Sequence, residues 1–290
     1  MTALAVCRFA HFMAAMLTFG SSVYLWLWAP ERLSVALTPA VRRLALVGSV
    51  VALLTAIVWL ALESALMADD WSAAIDRGAI GAVLADTAFG HAWAAHLVLA
   101  GALVAVVVFG PRAQWAPTAV ASAALLASLG LVGHAAMQTG AEGVLHRANH
   151  ALHLLTTGAW LGALVPFAMC LGAYERGDLR REAVKAMTRF SFWGHFIVAT
   201  IVVTGAVNIA LTSGRAPIPP DTPYRALLEV KFVVVAIMIS TALFNRYALA
   251  PQLKPGARAL GALRATCLAE VALGAVAVAL VSAFALFDPA

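Results

Sequence analysis

Residues 44 to 62 read LALVGSVVALLTAIVWLAL, a run without a single charge. At a rise of about 1.5 Å per residue it crosses a hydrocarbon core of about 30 Å as one helix. Bilayers admit only helices and closed barrels, because a backbone amide in lipid finds no water to bond. A barrel would need segments of about ten residues in strict apolar and polar alternation. This chain has long continuous apolar runs instead, near 3 to 29, 42 to 67, 88 to 110, 116 to 139, 146 to 173, 186 to 212, 225 to 248 and 262 to 286. The expected fold is all-α: a polytopic membrane bundle of about eight transmembrane helices in a single transmembrane domain, 1 to 290, surrounded by membrane lipids. Composition agrees, with 63% hydrophobic and only 11% charged residues. The first run has no small-residue cleavage site with a soluble domain behind it, so it is expected to stay as a helix and not to be removed as a signal peptide.

The chain's 19 Lys and Arg residues are unevenly placed. Most sit in the joints after the first, third, fifth and seventh runs, among them Arg42, Arg43, Arg112, Arg176, Arg180, Arg181, Lys185, Arg189, Arg246 and Arg258. Positive residues in short loops stay cytoplasmic, so both termini are expected to be periplasmic. The basic balance is then a topology signal and points to no nucleic acid. The outer joint 68 to 87, ADDWSAAIDRGAIGAVLADT, is acidic and partly amphipathic, as in a short interfacial helix.

Four of the eight histidines lie in HAAMQTGAEGVLHRANHALHLLTTGAW, residues 134 to 160. His146, His150 and His153 follow i, i+4, i+7 spacing and share one helical face. A helical hairpin with its apex near Ala141 to Gly143 would bring His134 to their depth, with Met137 one turn outward. Ionisable groups at membrane depth are rare and point to function. His91 and His96 open the third run but point about 140° apart on an ideal helix. The first run carries Cys7 and His11 at i, i+4, with Met13 and Met16 beside them, and soft sulfur with imidazole favours copper, above all Cu(I). The candidate metal ligands are therefore His134, His153, His150, His146, His96, His91, His11, Met137 and Met13. Other polar groups inside or at the ends of spans are Glu63, Asn208, Glu229 and Lys231, the last two expected to reach other helices. His195 lies far from this cluster, near the cytoplasmic boundary, and is expected to pack there. On the inner side, Cys170 with Met169 and Cys267 with Glu270 are either exit-side groups or plain packing residues.

No catalytic constellation appears. The chain has no P-loop, no Asp-Lys-Thr-Gly-Thr and no Cys-Pro-Cys, which argues against an ATP-driven pump and for a protein that is not an enzyme. Its three cysteines lie too far apart in depth for a structural disulfide. Two readings of the histidines stay open: copper, carried as Cu(I) or Cu(II), and haem b clamped between two imidazoles in a membrane redox protein. One tight hairpin leaves little room for a porphyrin and favours copper, whereas His96 or His11 opposite His153 would accommodate one.

The stretches GHAAMQTG, ANHALHLLTTGAWLGALVPF, MTRFSFWGHFIVATIVVTGAVNIALTSG and PYRALLEVKFVVVAIMISTALFNRYAL, in that order after RFAHFMAAMLTFGSSVYLW, resemble the CopD family of bacterial inner-membrane copper resistance and copper homeostasis proteins. The resemblance covers nearly the whole chain and is strongest over 130 to 250. It implies an inner-membrane protein that moves copper from periplasm to cytoplasm, beside a periplasmic copper-binding partner of the CopC type. The family's Gly-His falls on Gly133 and His134, and its histidine ahead of the tryptophan falls on His153, with Trp160 and Gly162 following. His150 stands where the family commonly has a carboxylate or amide, which leaves the number of ligands open.

Overall fold

The computed structural model describes residues 2–111, 114–133, 137–213, 222–254, 257–284 and 287. Among these residues there are only helices: α1 (Thr2–Val23), α2 (Glu31–Ala68), α3 (Arg77–Asp86), α4 (Ala88–Phe109), α5 (Ala116–Ser128), α6 (Gly140–Glu175), α7 (Arg180–Ser213), α8 (Pro223–Phe244) and α9 (Arg258–Phe284). With the turns that extend them, seven are long and apolar enough to cross a membrane. The fourth expected span, 116 to 139, is shorter than its sequence suggested. α5 and the tight turn after it end at Leu131, and α6 begins at Gly140, because Gly133 and Gly140 take positive φ angles of 74° and 64° that a helix cannot continue through. The outer joint forms α3, whose first turn is capped by Asp76, with Oδ1 accepting from the amide of Gly78 at 2.6 Å. Just before it, the side-chain and backbone donors of Ser72 hold the Asp70 carboxyl below its ordinary pKa.

α1 is the central post. It packs on α2, α5, α6 and α9, while α2 and α4 close a ring with α5. Small residues set the closest approach. A Cβ on Gly162 would stand 2.8 Å from the Gly20 Cα, so the backbones of α1 and α6 touch, and Ser21 Oγ donates to the Gly162 carbonyl at 3.0 Å. Lipid gives no hydrophobic drive between helices, so such contact and interhelical hydrogen bonds hold the bundle. The second half pairs α6 with α7 and α8 with α9. α7 turns Phe192, Trp193, Phe196, Val202 and Val203 outward, as a lipid-facing helix does.

Two helices end in π-helical turns, α1 at Tyr24–Trp28 and α8 at Asn245–Leu249. The charge asymmetry predicts that a reporter in the joint 175 to 185 shows cytoplasmic activity and one after Asp288 shows periplasmic activity. Both reporters on one side of the membrane would overturn the assigned orientation.

Candidate metal centre

The histidines that meet are His11 and His96. Their Nε2 atoms lie 3.1 Å apart, between α1 and α4, and the residues are 0% and 1% exposed. His11 lies about 13 Å, and His96 about 12 Å, along its helix from the outer end at 1.5 Å per residue. Each of the four helices in the ring supplies one group. Thr55 of α2 stands 2.9 Å from His11 Nδ1, and Ser128 of α5 stands 2.8 Å from His96 Nδ1.

The direction of each hydroxyl decides where its ring partner carries the proton. Thr55 Oγ1 gives its hydrogen to the Val51 carbonyl at 2.6 Å, and Ser128 Oγ gives its own to the Leu125 carbonyl at 2.7 Å. Each oxygen is then an acceptor, and each imidazole donates to it through Nδ1–H. In that tautomer two bare Nε2 lone pairs face one another at 3.1 Å, whereas with one ring as its Nε2–H tautomer the same distance is an ordinary N–H···N hydrogen bond. Two lone pairs at that distance repel unless a proton or a metal ion lies between them. Without a metal, one hydroxyl turns to Nδ1 and that ring moves its proton to Nε2. A ligand histidine whose second nitrogen is held by a polar neighbour is the usual arrangement around a bound metal.

The walls are aromatic. Trp93 stacks on His96 with centroids 4.5 Å apart, and its indole donates to the Ala56 carbonyl at 2.9 Å. Trp59 meets His11 edge-on at 5.8 Å and Trp93 at 4.7 Å. Toward the outside, Cys7 Sγ donates to the Thr55 carbonyl at 3.2 Å, and the Arg8 guanidinium lies 5.0 Å above the Trp59 ring. Glu63 follows Trp59 one turn further along α2. A linear two-nitrogen site, at about 2 Å per bond, takes the two Nε2 atoms about 4 Å apart, a small opening of the present pair. A porphyrin does not fit: Trp93 lies within 6.3 Å of His11 as well as on His96, so it closes the flat slot a macrocycle would occupy. A haem clamped by His11 and His96 is accordingly not expected, and their replacement by Ala should leave the optical spectrum of the purified protein unchanged.

Among the described residues the remaining sequence candidates are spread over several places, with His150 and His153 together on one face of α6. His134 lies outside the described residues, and among the described ones no group of three His, Cys, Asp or Glu is placed to hold a metal. His146 is buried with Nδ1 2.7 Å from Gln138 Oε1. His150 and His153 turn to α7, where His153 Nδ1 meets Thr204 Oγ1 at 2.9 Å and His150 Nδ1 meets Asn208 Nδ2 at 3.2 Å. His91 is exposed, with Nε2 2.7 Å from the Ala85 carbonyl. Met137 is 66% exposed, while Met13 packs against the core. Glu229 corrects the expectation of an interhelical partner: it pairs with Arg225 one turn earlier on α8, at 2.8 Å, because both lie on the exposed outer turn. Lys231 does reach across, 5.6 Å from the Phe284 ring of α9. His195 is exposed, with Nε2 3.0 Å from the Tyr247 hydroxyl. Thr55 and Ser128 are not among the sequence candidates, although Thr55 is the one polar interruption at mid-run between Ser49 and Glu63.

The copper resistance protein D-like N-terminal domain model matches residues 1–144, which contain the whole histidine site, and the copper resistance protein D model matches 184–284. The chain is 34% identical to the inner membrane protein YebZ of Escherichia coli (strain K12) over 97% of both chains. It is 30% identical to copper resistance protein D of Pseudomonas syringae pv. tomato, over 84% of this chain and 81% of that one. No solved structure matches the chain. From end to end, then, the chain belongs to the copper resistance protein D family and is a multi-pass inner-membrane protein.

Proposed function

We propose that this protein serves copper homeostasis as a permease and not as an enzyme, taking Cu(I) from the periplasmic side at His11 and His96 and passing it inward. The observation that carries the reading is the pair of converging Nε2 atoms, 3.1 Å apart, each backed by a hydroxyl on a different helix. Two neutral imidazoles in a dry aromatic site suit a soft monovalent ion, which accepts two nitrogens in line, better than a hard cation that needs six oxygens. Buried hydroxyls continue inward on the same face of α1. Thr18 and Ser22 follow His11 at i+7 and i+11, and both are 0% exposed. A periplasmic copper-binding protein of the CopC type fits as donor at the outer end.

Two measurements test this reading. Thr55→Val leaves His11 Nδ1 without its acceptor and should weaken Cu(I) binding about 10- to 100-fold, the usual effect of losing a partner behind a ligand. An unchanged affinity would remove the hydroxyl from the site. Cells overproducing the chain should gain copper and become more sensitive to it. Copper content that stays level or falls, with the protein shown to be present, would rule out an importer.

A further inference from the structure

A second site lies in the inner half of the other end of the bundle, away from the histidine pair. A cavity of 760 Å³ runs between α7 and α8, floored by α6 and α9. Small-molecule sites span about 300–1,000 Å³. Its deep walls are apolar and aromatic, with Trp160, Phe167, Phe190, Val198 and Ile239. α7 leans on α6 and α8 on α9, with hardly any contact between α7 and α8 among the described residues. The mouth is bordered by Ala199 and His195 on one side and by Leu243 and Tyr247 on the other, all exposed, so it opens sideways toward lipid.

The polar pole of this cavity is built. The π-helical turn at the end of α8 aims consecutive residues at different helices. Asn245 donates to Glu270 Oε2 on α9 at 3.0 Å and accepts from Thr266 at 2.6 Å, Arg246 donates to Ser191 on α7, and Tyr247 meets His195. Extra residues in a helical turn recur at functional sites. Glu270 is only 3% exposed, yet its Oε1, like Arg246 Nε, has no hydrogen-bond partner among the described residues. A buried polar atom left without a partner costs about 1–3 kcal/mol, which a bound molecule recovers.

We infer that this cavity binds the head of a membrane-soluble quinone or hydroquinone. A carboxyl and a guanidinium at one pole favour a head that is neutral overall and both gives and takes hydrogen bonds. A hydroquinone hydroxyl donates to Glu270 Oε1, and a quinone oxygen accepts from Arg246 Nε–H. Aromatic walls receive a flat ring, and the lateral mouth receives its hydrocarbon tail. Glu270 lies about 18 Å along α9 from the inner end at Arg258, too deep for a phospholipid headgroup and at the depth where a lipophilic quinone moves. Copper does not suit the place: Arg246 opposes a cation, and the nearby thiols are engaged, Cys170 with the Tyr24 hydroxyl at 3.2 Å and Cys267 with the Leu164 carbonyl at 3.6 Å.

The test uses the full chain in nanodiscs with an aryl-azide derivative of decylubiquinone, irradiated with and without excess decylubiquinone. Label is expected on peptides of α6, α7 and α8 that line the cavity, and competition should remove it. Ala199→Phe, which blocks the mouth, and Glu270→Gln should each weaken competition about tenfold, the value of one hydrogen-bonded contact or more. The His11→Ala, His96→Ala protein should label like the wild type, which keeps this inference separate from the copper reading. Label that is not competed, or that is equal in wild type and Ala199→Phe, would overturn the proposal even if Glu270→Gln fails to fold.

Discussion

Replacing His11 and His96 together by Ala is expected to abolish tight Cu(I) binding, a loss of at least about 1,000-fold in competition with a chromogenic Cu(I) chelator, because both proposed nitrogen ligands go at once. The double variant is expected still to insert and fold. The helices around the pair are held by other contacts, among them the Trp93 indole on the Ala56 carbonyl at 2.9 Å and the close approach of α1 and α6. The contrasting variant is His150→Ala with His153→Ala. It should keep the wild-type affinity, since those rings are tied to Asn208 and Thr204 on α7. If the second variant loses copper and the first keeps it, the site belongs between α6 and α7.

Gly162→Leu should be the most damaging single substitution in the apolar core. Its Cβ alone would stand 2.8 Å from Gly20 Cα and 2.9 Å from Gly20 N, and it would run into the Met16 carbonyl. No rotamer relieves a clash of backbone with Cβ, so α1 and α6 must part. Overpacking costs about 1–3 kcal/mol and occasionally more, and here the interhelical bond from Ser21 to the Gly162 carbonyl is lost too. We expect a fall in stability of about 3 kcal/mol or more, read as lost monodisperse protein after brief heating in detergent. Gly261→Leu on α9 is the control, because a Cβ there meets nothing within 4 Å. Equal heat resistance of the two variants would show that the approach of α1 to α6 does not hold the bundle.

The spans were legible because lipid leaves the backbone no alternative to helix, so runs such as 44 to 62 declare themselves by length and composition alone. The end of the fourth span was harder to see. GLVGHAAM is as apolar as a helix, and only the positive φ at Gly133 and Gly140 shows where the chain stops winding. The site was half legible. His11 and His96 both stood out as polar groups in apolar helices, yet nothing in one sequence says that α1 and α4 share a ring with α2 and α5. Density of histidines along the chain drew attention to residues 134 to 160, whereas convergence in space depends on which helix faces which neighbour. His150 and His153 share a face, and that face meets the hydroxyl and amide of α7. Thr55 and Ser128 carry no sequence signal beyond a polar atom in an apolar run, and their role follows only from where their single protons go.

The most direct test of the account is X-ray absorption at the copper edge of the full-length protein loaded with one equivalent of Cu(I). The account predicts two nitrogen scatterers at about 1.9–2.0 Å with the outer-shell pattern of imidazole, and no sulfur. The signal should vanish from the His11→Ala, His96→Ala protein. A sulfur scatterer at about 2.3 Å, or the same spectrum from that double variant, would contradict it.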